Sequence, residues 1–188
     1  VMCEDIYQLI QKLNIPKATF VGFSMGGAVC FQMALSHPES VDKLVIINSG
    51  PDFNNTNDTG IDILAERTKL IKEQGFLALT QTISRNMFPN EDQKAWRDEF
   101  AQRVAANDED AYLNTFGHLM KFGIGEQLSS IPHETLVIAS DMDYTPVEYK
   151  KSYTAKMQNA TIKVIENSRH GVVLDQADIL NDELLKFL

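Results

Sequence analysis

One short segment of the sequence combines a nucleophile with the small residues that a sharp turn requires. Ser24 lies within GFSMG at 22–26, which matches the pattern G-x-S-x-G. An apolar run at 18–23 predicts a strand before Ser24, and residues 28–35 predict a helix after it. A sharp turn between a strand and a helix lifts the serine hydroxyl out of the sheet. The segment therefore predicts a nucleophilic serine.

The neighbours of Ser24 favour the chemistry of acyl transfer. Gly22 and Gly26 are expected to leave room for the close crossing of strand and helix, where a side chain would collide. The backbone N–H of Met25, at the N-terminus of the helix, would point to the place where an oxyanion forms. The alternative is that the glycines only form a tight turn and that Ser24 caps the helix.

These features resemble the nucleophile elbow of the α/β-hydrolase superfamily, in its capped esterase, lactonase and peptidase-like branch, over essentially all 188 residues. In that family the triad acid follows the strand after the cap. The segment SDMDYTP at 140–146 looks like the corresponding one, with Ser140 where the family usually has glycine. The resemblance implies that Asp143 is the acid, with Asp141 as the alternative. Either carboxylate could instead only cap the following helix.

The family carries its catalytic histidine just past the last strand, and His170 in NSRHG at 167–171 matches that position. The resemblance implies that His170 removes the proton of Ser24 and that Asp143 orients the imidazole. Water activated by the same histidine would hydrolyse the acyl-enzyme, with no metal and no organic cofactor. The other histidines are interpreted as surface or capping residues: His37, His118 and His133. His118 is also a candidate to line the pocket.

Hydrophobic periodicity predicts the elements that must position these residues. Strands are predicted at 18–23, 44–47, 135–139 and 161–165. Helices are predicted at 1–14, 28–35, 146–157 and 174–188. Strands joined by crossover helices indicate an α/β fold with a parallel, doubly wound sheet of the α/β-hydrolase type.

The pattern between the second and third strands is different. A polar loop is expected at 54–60, and helical periodicity then predicts helices at 61–74, 76–86, 91–107 and 108–122. No strand pattern interrupts this block. We therefore predict a hydrolase core at 1–52 and 132–188, interrupted by an all-helical cap at 53–131.

The predicted cap would supply a wall of the substrate pocket. Candidates to line that pocket are Phe23, Phe88, Trp96, Phe116 and His118. Further aromatic residues of the same block are Phe76, Phe100, Tyr112 and Phe122. Most aromatic side chains of the cap are interpreted as its own core, because a helical insertion needs an apolar interior.

Composition and charge exclude several classes of protein. A formal net charge of −9 argues against nucleic-acid and anionic-membrane partners, which need a basic face. No apolar run approaches the ~20 residues of a membrane span. Cys3 and Cys30 have no CxxC spacing and are expected to be free thiols, and residues 1–13 do not resemble a secretory signal. We expect a cytoplasmic protein whose partner is a small acyl substrate.

The resemblance covers only the second half of the family fold. In the family, several strands precede the helix at 1–14, and a loop after the third strand donates the second oxyanion N–H. No HGGG-type or HG-x-P-type segment occurs in this sequence. We therefore expect the N-terminal strands to be missing, the oxyanion hole to be incomplete and catalysis to be poor. The strand at 18–23 would then have an open apolar edge, through which the chain is expected to form a homodimer or another self-association.

Two classes of function fit these features. The first is a serine hydrolase that cleaves a small carboxylic ester, a lactone or a similar acyl substrate. The second is a catalytically impaired remnant or binding protein that keeps the fold. Within the first class, cofactor-free peroxidation and carbon–carbon bond hydrolysis can use the same three residues. A peptidase specific for N-terminal residues would need acidic groups in the cap, for which the candidates are Glu66, Glu73, Glu99 and Glu109.

Overall fold

The structure, a computed structural model, describes residues 1–53 and 62–188. Within these ranges it contains one sheet of four parallel strands: β1 (Ala18–Phe23), β2 (Val41–Ile47), β3 (Glu134–Ser140) and β4 (Ala160–Ile165). The strands lie side by side in the order β1-β2-β3-β4. The two central strands, β2 and β3, are the most continuously apolar, because helices cover both of their faces.

Nine α-helices lie in the described part of the chain. They are α1 (Met2–Lys12), α2 (Met25–Ser36), α3 (Ile63–Gln74), α4 (Phe76–Met87), α5 (Lys94–Ala105), α6 (Glu109–Leu119), α7 (Val147–Thr154), α8 (Val172–Asp175) and α9 (Ala177–Phe187). Helices α3 to α6 all fall between β2 and β3, and we call residues 63–119 the helical segment. No helix among the described residues is long and apolar enough to cross a membrane.

The two faces of the sheet bury alternate side chains of the central strands. On one face Leu44, Ile46 and Val137 pack in a core cluster with residues of α1, α2 and α7. On the other face Val45 and Ile138 pack with residues of α8 and α9. Full burial of one such side chain stabilises the fold by about 2 kcal/mol. Helices on both faces of a parallel sheet confirm the predicted doubly wound α/β fold.

Several boundaries differ from the prediction. Strand β2 begins at Val41 rather than at 44, because Val41 pairs with Ala18 of β1 and Lys43 pairs with Glu134 of β3. The polar side chains of Asp42 and Lys43 hide this part of the strand in the hydrophobic pattern. The predicted C-terminal helix at 174–188 is divided at Gln176, where φ is −135°. The predicted loop at 54–60 and the first residue of the predicted helix at 61–74 lie outside the described residues.

The helical segment has an apolar core of its own. Ile71, Phe76 and Leu79 are buried together, and Tyr112 and Leu113 of α6 pack against them. Phe76 is one of the aromatic residues that were interpreted as core, and its burial fits that interpretation. The division into core and cap at 53 and 131 stays a prediction.

Strand β1 is an edge strand of the described sheet, since β2 is its only partner there. Val21, in the middle of β1, is 47% exposed, which is a large fraction for a β-branched strand residue. An exposed apolar edge can pair with another chain. Self-association through this edge stays a prediction.

Size-exclusion chromatography with light scattering tests that prediction. We expect the mass of the chain to be at least twice that of the monomer, and Val21→Lys to shift the distribution toward the monomer, because a charged residue blunts a strand edge. A wild-type chain that stays monomeric at high concentration would contradict self-association.

Candidate active site

Three chain segments that carry reactive side chains meet at one edge of the sheet. Ser24 directly follows β1, Asp143 lies three residues after β3, and His170 lies five residues after β4. The carboxyl ends of parallel strands share one edge, so loops that are far apart in sequence converge there. The three predicted residues are therefore brought together by the sheet.

The side chains of Ser24, His170 and Asp143 form a hydrogen-bonded chain. His170 Nδ1 lies 2.6 Å from Asp143 Oδ1, and His170 Nε2 lies 2.9 Å from Ser24 Oγ. An ionised carboxylate only accepts, so the proton of the neutral imidazole lies on Nδ1 and Nε2 accepts from the serine hydroxyl. The His170 and Asp143 side chains are 12% and 2% exposed. This is the geometry of an activated nucleophile.

The two candidate acids have different surroundings. Asp143 faces His170, whereas the carboxylate of Asp141 accepts from the backbone N–H groups of Asn167 and Ser168, each at 3.0 Å. Asp141 therefore holds the turn that leads to His170. Burial opposes ionisation of Asp143, but the hydrogen bond and charge of His170, together with the ammonium of Lys150, hold the pKa of Asp143 below its usual value.

Ser24 has a strained backbone conformation, with φ of 54° and ψ of −122°. Its N–H donates to the carbonyl of Ile47 at 2.9 Å, which ties the turn to β2. Ser24 occupies the N-cap position of α2, but its side chain makes no capping hydrogen bond, so its hydroxyl does not serve as a helix cap. Met25 is the first residue of α2, and N–H groups in a first helical turn lack an intrahelical acceptor. Its N–H is therefore suited to an oxyanion.

The predicted roles of the two elbow glycines differ in the structure. A Cβ at Gly22 would lie 2.3 Å from the carbonyl oxygen of Gly26 and 2.6 Å from Cys30 Sγ, so the strand and α2 do cross closely there. A Cβ at Gly26 would meet nothing within 4 Å, so the predicted collision at that residue is wrong. A second close approach, between α2 and the segment after β2, occurs at Gly27, where a Cβ would lie 2.5 Å from the side chain of Ser49.

Alanine should therefore affect stability differently at Gly22 and at Gly26. We expect Gly22→Ala to lower the free energy of unfolding by about 3 kcal/mol, since backbone atoms must move to admit the methyl group. Gly26→Ala, in open space within α2, should be neutral or should raise it by up to about 1 kcal/mol. Urea denaturation measures both, and equal losses would contradict the assigned crossing.

The strain at Ser24 is also measurable. Ser24→Gly and Ser24→Ala both remove the hydroxyl, but only glycine adopts this backbone conformation without cost. We expect the glycine variant to have the higher free energy of unfolding, by about 1 kcal/mol after its greater chain entropy is subtracted. Denaturation of the pair provides the comparison, and a more stable alanine variant would argue against strain.

A buried polar network positions the loop at 166–171 that carries His170, which we call the histidine loop. No sequence motif predicted this network. Asn48, at the end of β2, donates to Ser140 Oγ at 2.8 Å and to the carbonyl of His170 at 3.1 Å. Ser140 Oγ donates to Ser168 Oγ at 3.1 Å, and Ser168 Oγ donates to Asp175 at 2.8 Å. Ser140 thus joins β3 to the histidine loop. A polar residue directly after a buried strand was the only signal for Asn48.

Two aromatic rings flank the imidazole of His170. Phe23, a predicted pocket residue, has its ring centroid 5.0 Å from that of His170. Tyr144 stacks on the imidazole with a centroid distance of 4.4 Å and an interplanar angle of 27°. No sequence pattern indicates a role for Tyr144, although this residue directly follows the candidate acid. Both rings restrict the orientation of the imidazole.

The other predicted pocket residues have different surroundings. Phe88 is 1% exposed and its ring lies close to the backbone of Gly171, next to His170, and its place in the pocket lining stays a prediction. Trp96 packs edge-on against Phe88 and is 36% exposed. Phe116 stacks on Tyr112 and lies beneath the guanidinium of Arg67, with 3.8 Å from Cζ to the ring centroid. Phe88 therefore joins the helical segment to the histidine loop.

The remaining histidines lie away from this site. His118 Nδ1 contacts the carbonyl of Asn114 in its own helix and is exposed, which supports the surface interpretation and not the pocket one. His37 lies 3.1 Å from Glu4, and His133 contacts the carbonyl of Pro38. Within residues 1–53 and 62–188, no group of three or more His, Cys, Asp or Glu side chains could hold a metal ion. Cys3 and Cys30 are free and buried.

Comparison with known proteins agrees with the fold and supports a hydrolase. The family model for the alpha/beta hydrolase fold matches residues 1–80. The chain is 29% identical over 201 residues to a protein of Caulobacter segnis that bears the name of a carbamate hydrolase, RutD, and it covers 71% of that relative. A RutD protein of Agrobacterium fabrum is 25% identical over 198 residues, with 73% of it covered. Both alignments span 100% of this chain.

Solved structures have the same architecture. An esterase from Exiguobacterium antarcticum superposes with a TM-score of 0.87 at 22% identity, over 99% of this chain and 72% of the esterase. An enol-lactonase from Burkholderia xenovorans superposes with a TM-score of 0.88 at 17% identity, over 98% and 70%. These structures show the α/β-hydrolase fold, and together with the family model and the RutD relatives they support the α/β-hydrolase superfamily.

Proposed function

We propose that this chain is a serine hydrolase that cleaves small carboxylic esters, lactones or similar acyl substrates. The observation that carries the proposal is the hydrogen-bonded chain in which His170 lies 2.9 Å from Ser24 Oγ and 2.6 Å from Asp143. The esterase and lactonase names of its structural neighbours support this substrate class. The carbamate hydrolase name of the RutD relatives adds carbamates as a related acyl group to test.

The geometry supports a two-step mechanism. His170 Nε2 accepts the Ser24 proton while Ser24 Oγ forms a bond to the substrate carbonyl carbon. Asp143 accepts from Nδ1 throughout and stabilises the imidazolium that results. His170 then passes the proton to the leaving group, and an acyl-enzyme remains on Ser24. Water that gives its proton to His170 hydrolyses this ester and restores the serine.

The N-terminus of α2 supplies electrostatic stabilisation in this mechanism. The Met25 N–H, directly after Ser24, donates to the oxyanion that forms on the carbonyl oxygen. The partial positive charge of the helix N-terminus acts in the same direction. The helical segment acts as a cap whose contact between Phe88 and Gly171 adjoins the histidine.

Labelling with a fluorophosphonate probe tests the nucleophile without knowledge of the substrate. We expect mass spectrometry to find the probe on Ser24, and Ser24→Ala to abolish labelling. Asp143→Asn should slow labelling by about 10³-fold or more, because the amide no longer favours the imidazole tautomer that accepts the serine proton. The matched control is Ser152→Ala, an exposed serine of α7, which should leave the rate unchanged.

The alternative function predicts a different result in the same experiment. An impaired remnant or binding protein would fold but would not react at Ser24. A folded wild-type chain that stays unlabelled, or labelling that persists in Ser24→Ala, would contradict the proposed hydrolase. Circular dichroism of each variant separates loss of reactivity from loss of folding.

A further inference from the structure

A lysine lies directly behind the acid of the hydrogen-bonded chain. The side chain of Lys150, on α7, is 0% exposed, and its Nζ donates to Asp143 Oδ2 at 2.7 Å. It also donates to the carbonyl and hydroxyl oxygens of Thr145, each at 2.8 Å. All three ammonium protons therefore have acceptors. Oδ1 of Asp143 thus faces His170, whereas Oδ2 accepts from Lys150 and, more distantly at 3.4 Å, from the Thr145 hydroxyl.

Stability alone does not explain this buried ion pair. Removal of an ammonium and a carboxylate from water carries a large free-energy cost, and apolar residues of similar volume often stabilise such positions better. The side chain of the next residue, Lys151, is exposed and pairs with Glu148 at the surface, where neither charge loses much hydration. Lys150 instead contacts the one carboxylate that faces His170. Its position points to a role in the site.

We propose that Lys150 is a positioning residue that holds the Asp143 carboxylate toward His170 and offsets part of its negative charge. This inference rests on the proposed function. A buried carboxylate without another partner would strongly stabilise a protonated imidazole. The cation on its far oxygen weakens that stabilisation. The neutral imidazole is the form that accepts the serine proton, so the ammonium behind Asp143 favours the reactive form of His170.

The other titratable groups around Asp143 do not have the same effect. Tyr144 is 54% exposed as a residue, but desolvation of its hydroxyl and then the charge of Asp143 raise its pKa to about 12, with Arg67 of α3 opposing the shift. This tyrosine is therefore neutral at neutral pH. Burial also raises the pKa of Tyr153 on α7, whose hydroxyl donates to the carbonyl of Ser49 at 3.0 Å. Burial lowers the pKa of Lys150 itself, with Asp143 opposing the shift.

The test is the pH dependence of fluorophosphonate labelling in two neutral variants. Lys150→Met keeps the volume of the side chain, and Lys150→Gln keeps a hydrogen-bond donor. In both, we expect the midpoint of the acid limb to move to higher pH by about one pH unit, and the plateau rate to fall by about 10-fold. Lys150→Arg, which keeps the charge, should retain the wild-type midpoint.

The matched control is Lys151→Met, the same change at the exposed neighbour, which should leave the pH profile unaltered. A folded neutral variant of Lys150 with an unmoved acid limb would overturn the proposal. Failure of both neutral variants to fold would assign Lys150 a purely structural role and would also overturn it. A wild-type chain without any labelling would refute the proposed hydrolase itself, so the two failures are distinguishable.

Discussion

The parallel pairing of β2 with β1 and β3 is the constraint on which the site depends. Because all four strands run in one direction, the residues that follow each strand collect at a single edge. Ser24 and His170 are 146 residues apart in the chain, yet their side chains lie within hydrogen-bond distance. A single register shift in the central strands would separate them. Residues 20–23 of β1 pair in unbroken register with 44–47 of β2, and 43–47 of β2 pair in unbroken register with 134–138 of β3.

Close backbone approach is the second requirement. The crossing of β1 and α2 depends on glycine at Gly22, and the contact of α2 with the segment after β2 depends on Gly27. Only this tight packing lets the chain turn from strand to helix within one strained residue, Ser24. The strain is maintained because the core of α2, with Phe31 and Met33 fully buried, does not allow the turn to relax.

Charge and hydrogen bonding then determine the orientation of the histidine. Asp143 is almost fully buried, and its two oxygens are satisfied by an imidazole and an ammonium group, so the carboxylate has little freedom to rotate. Asn48 donates to the carbonyl of His170, and Asp141 accepts from the N–H of Ser168, two residues earlier in the same loop. The helical segment adds the ring of Phe88 against Gly171. The imidazole is thus positioned by β2, by β3 and by the helical segment together.

The sequence by itself determined the features that arise from local order along the chain. The elbow at Ser24 could be predicted because a strand, a turn and a helix follow one another directly, and the doubly wound sheet could be predicted from apolar periodicity. The resemblance to a family added Asp143 and His170. Only the tertiary structure decided which carboxylate faces the imidazole, because Asp141 and Asp143 differ in direction and not in type. It alone revealed Asn48 and Lys150, since their roles arise from contacts across strands and loops that hydrophobic periodicity does not record.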